Sequence, residues 1–298
     1  MRPSRRGFTL IEILVALVLF GIVEATLTRL LITSQRVTTA QTVRATLQSN
    51  LRVGSMVVPN ELRMLNQSDT TDILSVSDTS IVYLAMRGYY VLCSSIGSAT
   101  SFKVVRVPGT GFSFVYREPA AGDSLFIFYE NDTLKMSDDK WVRLGLSGTA
   151  STTCDYPAAS TAALTFTLGG SGIPAGFTLD NFLVGAPVRT YEVTRLAKFT
   201  SGGQSWLGMC TGSATCTLQP VLGPLAPTGG FVITRYNDAG SVVAGNSFSD
   251  RNSLRSLKIQ FVGVSESNVS RGVAFAGGAS AIYDTLITFV TLRNVKQN

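Results

Sequence analysis

Hydrophobic residues follow two patterns along the first part of this 298-residue chain, and the first pattern is a continuous apolar run. Residues 8–23 are apolar except at Thr9, Glu12 and Gly21. Three arginines lie among the seven residues before the run. A basic flank followed by an apolar segment is typical of a helix that inserts into the inner membrane with the flank kept inside. We therefore expect residues 8–28 to span the membrane.

The second pattern, over residues 29–65, has the period of an amphipathic helix. Its apolar residues recur at intervals of three, four and seven, which places them on one helical face. They are Val37, Ala40, Val43, Leu47, Leu51, Val58, Leu62 and Leu65. The other side is rich in Gln, Thr and Arg, so we expect this half to lie on a sheet with its polar side in water. The sequence predicts one long helix from about Phe8 to Leu65, and Gly21 and Pro59 are the positions where a bend is expected.

Beyond Asp69 the hydrophobic period changes to two, which is typical of strands. The clearest runs are Ile81–Met86, Phe112–Tyr116, Leu125–Tyr129 and Phe231–Tyr236, and turn-forming residues separate them at 131–132, 137–139, 169–176, 202–203 and 237–240. This pattern predicts that residues 66–298 form one antiparallel β-rich head that packs on the helix. The predicted fold class is therefore α+β. Leu254–Val264 and Tyr283–Val295 are expected to be adjacent closing strands. Residues 150–176, rich in Ala, Thr, Ser and Gly, are expected to be a long surface loop or insertion.

The charge of the chain depends on its first residues. The whole sequence has a formal net charge of +6, but removal of residues 1–7 leaves 22 basic and 19 acidic residues, a net charge of +3. The remaining Lys and Arg are scattered singly through the predicted strands, so no dedicated nucleic-acid surface is evident. Charged residues make up only 15% of the chain, a composition common in exported β-rich proteins.

Catalytic chemistry has little support in the sequence. There is no histidine, which excludes Ser-His-Asp and Cys-His catalytic sites and His-ligated zinc or haem. Asp138 with Asp139, and Asn237 with Asp238, are adjacent carboxylates and amides of the kind that turns need for their backbone geometry. We therefore expect no enzyme activity and no cofactor. Calcium bound by one of these oxygen-rich turns is the alternative.

Four cysteines, Cys93, Cys154, Cys210 and Cys216, follow the membrane segment without the spacing of a metal site. In an oxidising compartment they would form two disulfides, for which three connectivities exist. We favour Cys210 with Cys216, because the residues between them resemble a turn, which leaves Cys93 with Cys154. Unpaired buried thiols are the alternative.

Glu12 is the unusual residue of the apolar run. A carboxylate at this position costs on the order of 3 kcal/mol on membrane-insertion scales, so it requires a partner. If the chain is cut between Gly7 and Phe8, the new α-amino group of Phe8 lies about one helical turn from Glu12 and is positively charged near neutral pH. In a filament, Glu12 of one subunit could neutralise the Phe8 amine of a neighbour and fix their axial register.

The sequence Arg-Arg-Gly-Phe-Thr-Leu-Ile-Glu, ending at Glu12, resembles the signal of type IV prepilins and type II secretion pseudopilins. The resemblance implies that prepilin peptidase cuts after Gly7, that Phe8 is N-methylated and that Glu12 is the assembly carboxylate. It also implies a pilin-like fold. The large size, the strand at 254–260 and the closing residues 289–294 are similar to W-type minor pilins and J-type pseudopilins.

On this resemblance, the chain is expected to be a minor subunit that initiates or caps a type IV pilus or a type II secretion pseudopilus. Its partners would be prepilin peptidase, other minor and major pilins or pseudopilins, and the inner-membrane assembly platform with its ATPase. It would be located in the inner membrane with a periplasmic head, and then in the filament or at its tip.

Two alternatives remain from the sequence. The first is a plain signal anchor for a periplasmic domain, which would leave the Gly7–Phe8 junction and Glu12 unexplained. The second is a membrane-anchored binding module that recognises DNA, a surface or a secretion substrate. Tyr89, Tyr90 and Trp206 are candidate contact residues for such a module, although core or cross-strand packing is the favoured interpretation of these aromatic residues.

Overall fold

The structure is a computed structural model that describes residues 9–65, 72–106, 117–131, 134–135, 139–154, 156, 160–266, 268–270 and 279–292. Gly7, Phe8 and the predicted strand Phe112–Tyr116 lie outside the described residues, as does Asp138. The described chain forms one long helix followed by an antiparallel β-rich head. The α+β prediction is therefore confirmed.

Helix α1 (Leu10–Arg63) begins one residue after its N-cap, Thr9, and continues without interruption through Gly21 and Pro59. The apolar face predicted for its second half packs on the head. Leu47, Leu51, Val58, Leu62 and Leu65 are buried, and Ala40 and Val43 are partly buried against the same core. Val37 is the exception, because its side chain stays 48% exposed.

The strands are β1 (Ile73–Val76), β2 (Ser80–Leu92), β3 (Ser101–Val105), β4 (Ser124–Tyr129), β5 (Lys140–Cys154), β6 (Thr161–Leu168), β7 (Pro187–Ser201), β8 (Gln204–Thr211), β9 (Gln219–Leu225), β10 (Phe231–Asn237), β11 (Leu254–Val264), β12 (Val269–Ser270), β13 (Ala279–Ser280) and β14 (Tyr283–Thr291). A 3-10 turn (Leu179–Asn181) precedes β7, and a short helix, α2 (Phe248–Asn252), precedes β11. The predicted runs at 81–86, 125–129 and 231–236 lie in β2, β4 and β10.

Two long strands, β2 and β7, run through the centre of the head. They pair antiparallel from Ser80 opposite Ala197 to Val91 opposite Pro187. Near Ser80 they belong to an open sheet that continues through β8, β9, β11 and β10, with β1 beside β2 and β14 beside β11. Near Val91 they close a ring of six strands in the order β2-β3-β6-β5-β4-β7, because β3 pairs with the end of β2 and β4 with the beginning of β7.

Each half of the head has its own buried core. In the open sheet, the apolar face of α1 packs on side chains that include Phe231, Leu257 and Phe261. Inside the six-stranded ring, the core includes Tyr90, Phe102, Leu125, Val142, Phe166 and Val188. The ring is therefore a packed barrel rather than a channel, and the helix contributes to the core of the open sheet alone.

The expectation of a long surface loop at residues 150–176 was wrong. Residues 150–154 are the end of β5, and residues 161–168 are the whole of β6, which pairs with β5 from Leu146 opposite Leu168 to Cys154 opposite Thr161. The Thr residues of this stretch are β-branched and suit a strand, and the face of β6 opposite Thr165 and Thr167 carries Leu164, Phe166 and Leu168 to the barrel core. The turn predicted at 169–176 follows β6.

The last strands agree with the sequence prediction, except that β14 ends at Thr291 and residues 293–295 of the predicted strand lie outside the described residues. β11 and β14 are adjacent and antiparallel, in an unbroken register from Ser256 opposite Thr291 to Val264 opposite Tyr283. The side of β11 that faces the core carries Leu257, Ile259 and Phe261, and β14 adds Val290 to the same core. This pair lies beneath α1 at the edge of the open sheet.

Candidate assembly site

The beginning of α1 holds Glu12 in a capping box with Thr9. The Thr9 hydroxyl accepts a hydrogen bond from the Glu12 amide at 3.3 Å, and the Glu12 Oε2 atom accepts from the Thr9 amide at 3.0 Å and from the Thr9 hydroxyl at 3.1 Å. Both residues are exposed. The carboxylate therefore sits at the positive end of the helix dipole, where a negative charge is favoured.

Thr9 holds Glu12 in this capping box, although in the apolar run it stands out only as a polar exception. The signal was present, because Thr-x-x-Glu before an apolar run is the pattern of a capping box. Its consequence is that Glu12 is directed toward the chain segment that precedes the helix. The junction between Gly7 and Phe8 belongs to that segment but lies outside the described residues.

The N-terminal half of α1 projects away from the head with its apolar side chains uncovered. Its most hydrophobic stretch has a mean hydropathy of 2.4, has the length and composition needed to cross a membrane, and buries none of its residues in the protein. The exposed apolar residues are Leu10, Ile11, Ile13, Leu14, Val15, Leu17, Val18, Leu19, Phe20, Ile22, Val23, Leu27, Leu30 and Leu31. A surface of this size requires lipid or other helices as its surroundings.

The other end of α1 is fixed to the head by ion pairs. Arg87 of β2 contacts Glu61 of α1 at 3.3 Å and Glu192 of β7 at 3.1 Å, and Arg117 contacts Glu192 at 3.4 Å and Asp123 at 2.8 Å. Burial opposes the charge on Arg87, but the two glutamates outweigh burial and raise its pKa. The network joins the helix, the open sheet and the barrel. No spacing in the sequence signalled it, since these residues are far apart along the chain.

The buried tyrosines near this network stay protonated. Desolvation, with the charge of Glu61 as a smaller cause, raises the pKa of Tyr83 far above its ordinary value. Desolvation and the charge of Asp72 raise the pKa of Tyr191 to about 12. Both phenols are therefore structural groups in the neutral form rather than acids or bases near neutral pH.

The aromatic candidates for ligand contact are placed mainly in packing roles. Tyr90 is fully buried in the barrel, where its ring meets Phe166 edge to face at 5.3 Å, and Tyr89 is partly buried beside the Cys93–Cys154 disulfide. Trp206 is half-buried and donates a hydrogen bond from Nε1 to the Ser201 carbonyl at 3.3 Å.

The carboxylates that could bind calcium do not converge among the described residues. No group of three or more Asp, Glu, His or Cys side chains there has the geometry of a metal site. Asn237 accepts a hydrogen bond from the Ser241 amide at 2.8 Å, and Asp238 lies 3.8 Å from Arg255. Asn237 therefore has the backbone role that a turn asks of it, whereas Asp238 lies near the Arg255 side chain.

The cysteines form two disulfides, Cys93–Cys154 and Cys210–Cys216, which is the pairing favoured from the sequence. The first joins the end of β2 to the end of β5 on the barrel, where Val91, Val105 and Ala163 pack around it. The second closes the short loop that follows β8.

Comparison with protein families identifies the N-terminal segment. Residues 2–23 match the family model described as the prokaryotic N-terminal methylation motif. No match to the chain was found among curated proteins or among solved structures. The matched segment contains Gly7, Phe8, Thr9 and Glu12 and leads into the uncovered apolar half of α1. Such a motif implies processing by prepilin peptidase and membrane anchoring through the apolar helix, so this chain carries the N-terminal signal of the type IV pilins and pseudopilins.

Proposed function

We propose that this chain is a minor pilin or pseudopilin subunit that helps initiate or cap a type IV pilus or a type II secretion pseudopilus. The observation that carries the proposal is the placement of one carboxylate, Glu12, at the start of an apolar helix that the head leaves uncovered. A filament of packed helices covers that surface, and a subunit contact accounts for the cost of placing a carboxylate in it.

The mechanism is non-covalent assembly, without catalysis by this chain. After cleavage between Gly7 and Phe8, the Phe8 amine of one subunit pairs with Glu12 of its neighbour. Thr9 supports this step, because its amide and hydroxyl hold the carboxylate at the helix start. The apolar halves of α1 then pack together as they leave the lipid.

The minor role is supported by the size of the head. A barrel and an open sheet stand on a single helix, and a body of this bulk is difficult to repeat densely along a shaft. The head would be periplasmic before assembly and at the filament tip afterwards, in contact with other pilins or pseudopilins. Immunogold labelling spread evenly along the filaments would contradict the tip position.

The test compares two carboxylates on the same exposed helix. Glu12→Ala is expected to remove the subunit from sheared filaments, while Glu24→Ala, its matched control, leaves incorporation near the wild-type level. Mass spectrometry of both variants and of the wild type should find a mature chain that begins at methylated Phe8. Full incorporation of Glu12→Ala, or a functional protein that keeps residues 1–7, would refute the proposal.

An anchored binding module is the second candidate. The observation that favours it is an aromatic and basic group on the outside of the barrel, where the Arg189 guanidinium lies 4.3 Å from the centre of the Trp141 ring and Phe128 meets Trp141 edge to face. DNA, a surface or a secretion substrate could contact such a group. A receptor of this kind would still function with Glu12→Ala, which distinguishes it from an assembly subunit.

A further inference from the structure

Strand β14 forms an edge of the open sheet. Among the described strands it pairs with β11 alone, so its second side presents backbone groups that belong to no ladder there. It is nine residues long and regular, and it contains one charged residue, Asp284, with no proline and no glycine. Natural edge strands are usually guarded by charges, prolines, bulges or short length. β14 has almost none of these guards.

The direction of each backbone group on β14 follows from the bonds at its two ends. The Ile282 carbonyl accepts from the Ser265 amide at 2.9 Å, and the Leu292 amide donates to the Arg255 carbonyl at 2.9 Å, so both residues face β11. The register between them is unbroken, and successive residues of a strand point their backbone groups to opposite sides. The amides of Thr285, Ile287 and Phe289 therefore point away from β11. The Thr285 amide donates to the Asp284 carboxylate at 2.9 Å, which leaves the Ile287 and Phe289 amides as the donors of this edge.

The same alternate residues expose their side chains. Tyr283 is 56% exposed, Ile287 47% and Phe289 63%, whereas Leu286 and Val290 face the helix side of the sheet. An added strand would gain hydrogen bonds from this edge and apolar contacts from the exposed row. That combination is the basis of recognition by β-strand addition.

The other ends of the sheet are less suited to strand addition. β1 is four residues long and has an irregular register with β2. β10 is occupied on its outer side, because the Ile233 amide donates to the Asp78 carbonyl at 2.8 Å and Arg235 pairs with Asp78 at 2.9 Å. The barrel is closed by pairing between β2 and β7. The fold thus covers or shortens these edges and leaves β14 long and regular.

A second copy of this chain is a poor partner for the edge. Symmetric antiparallel pairing of two β14 strands requires a half turn about an axis perpendicular to the sheet. This rotation reverses every element that lies along the sheet, and α1 lies on its inner face. The two apolar helices would point in opposite directions and could not enter one membrane from the same side.

We propose that β14 binds an extended strand, with apolar side chains at alternate positions, from the head of a different filament subunit. The inference rests on the proposed function, which brings the heads of different subunits side by side. The partner strand hydrogen-bonds to the amides of Ile287 and Phe289 and covers the exposed row.

The first experiment removes one outward amide from the full-length chain. Ile287→Pro deletes a donor on the side away from β11, a position at which an edge strand tolerates proline. Ile287→Thr is the matched control, because it keeps the amide. We expect Ile287→Pro to lower recovery in sheared filaments by about tenfold, and Ile287→Thr to lower it much less. Equal recovery of the two variants would contradict strand addition.

A second variant keeps the test decisive if Ile287→Pro fails to fold, as judged by its level in the membrane and its protease resistance. Phe289→Lys places a guarding charge on the exposed row without touching the ladder with β11. It should also lower recovery by about tenfold, with processing and membrane level unchanged. Wild-type recovery of a folded Phe289→Lys variant would overturn the proposal.

Photocrosslinking identifies the occupant. With p-benzoylphenylalanine in place of Phe289 in cells that assemble filaments, the crosslinked peptide should come from the predicted strand of another subunit with a prepilin-type signal. A crosslink to a second copy of this chain, or to a protein without that signal, would contradict the assignment. Failure here is distinguishable from failure of the proposed function, because Glu12→Ala tests the latter independently of β14.

Discussion

At the residue scale, Arg87 joins three parts of the molecule through charge. It lies between Glu61 and Glu192 with its side chain only 9% exposed, and it also donates to the Thr194 hydroxyl at 3.3 Å. An ion pair of this kind contributes little compared with apolar packing, but removal of one partner leaves the other buried without compensation. Truncation of Arg87 should therefore reduce the stability of the fold by more than the net free energy that the ion pair contributes.

We predict that Arg87→Ala lowers the free energy of unfolding by about 3 kcal/mol or more, because Glu192 stays buried without its main partner. Arg143→Ala is the control: it is exposed and its contact with the Ser124 hydroxyl is 3.5 Å, so the loss should stay below about 1 kcal/mol. Thermal unfolding of the full chain in detergent, followed by near-ultraviolet circular dichroism, measures both. Equal losses would show that the Arg87 network is not an energetic link.

Tyr191 gives a pH dependence whose sign follows from its burial. Its pKa rises from 10.0 to about 12 on folding, so the folded state holds the phenolic proton more tightly. The stabilisation is complete below pH 10 and is lost as the pH rises toward 12, by about 1.4 kcal/mol for each pH unit. Tyr191→Phe should therefore reduce the decline in stability across this window. Tyr283→Phe, at an exposed tyrosine, should leave it unchanged, and identical profiles for the two variants would contradict the role of burial.

The sequence indicates the role of a residue whose partners are close to it along the chain, and it does not indicate the role of a residue whose partners are distant. Glu12 was recognisable because a carboxylate inside an apolar run is costly wherever the run ends up. Thr9 could have been found by the same local reasoning, since a capping box is four residues long. Arg87 could not, because its partners lie 26 and 105 residues away and no local pattern relates them.

At the element scale, the two disulfides constrain loops of very different length. Cys93–Cys154 has a sequence separation of 61 residues and ties β2 to β5, whereas Cys210–Cys216 has a separation of six. In the chain-entropy model the longer loop restricts the unfolded chain more, and the stabilisation is about 4 kcal/mol against about 2 kcal/mol.

We therefore expect a Cys93→Ala and Cys154→Ala double variant to lose more stability than a Cys210→Ala and Cys216→Ala double variant. The Cys93–Cys154 disulfide is also surrounded by Val91, Val105 and Ala163, so its removal disturbs a packed cluster. Thermal unfolding of both double variants in detergent measures the difference. A larger loss for the short loop would count against the entropic account.

The elements themselves were largely readable from the period of apolar residues, and the error at residues 150–176 has a physical cause. Thr, Ser and Ala are common in loops, yet Thr is also favoured in strands. β6 alternates small residues with Leu164, Phe166 and Leu168, and only the pairing with β5 decides that this short alternation is a strand. In this stretch the period of the apolar residues, rather than the composition, indicates the strand.

At the scale of the whole molecule, the barrel could not be predicted from the sequence. The ring closes because β2 and β7, separated by 94 residues between Leu92 and Pro187, pair along most of their length. Every other strand of the ring lies between them in sequence, so the barrel is an elaboration in the middle of the head. No periodicity in a single sequence records which distant strands will pair.

One half of β2 and of β7 lies in the barrel, and the other half lies in the open sheet. Unfolding of the barrel therefore frees one end of each strand at the centre of the open sheet. The head should therefore unfold in one cooperative transition. The two tryptophans report on the two halves, since Trp141 lies on β5 of the barrel and Trp206 on β8 of the open sheet. In single-tryptophan proteins made with Trp141→Phe or Trp206→Phe, the fluorescence transitions should coincide.

A core truncation in each half makes this last prediction quantitative. Phe166→Ala in the barrel and Leu257→Ala in the open sheet each remove a fully buried side chain, and each should cost about 3 to 5 kcal/mol. If the halves are coupled, Phe166→Ala lowers the midpoint of the Trp206 transition as far as that of the Trp141 transition. Leu257→Ala likewise lowers the midpoint of the Trp141 transition as far as that of the Trp206 transition. A barrel that melted first, with the Trp206 signal unmoved, would mean that the shared strands do not transmit stability between the two cores.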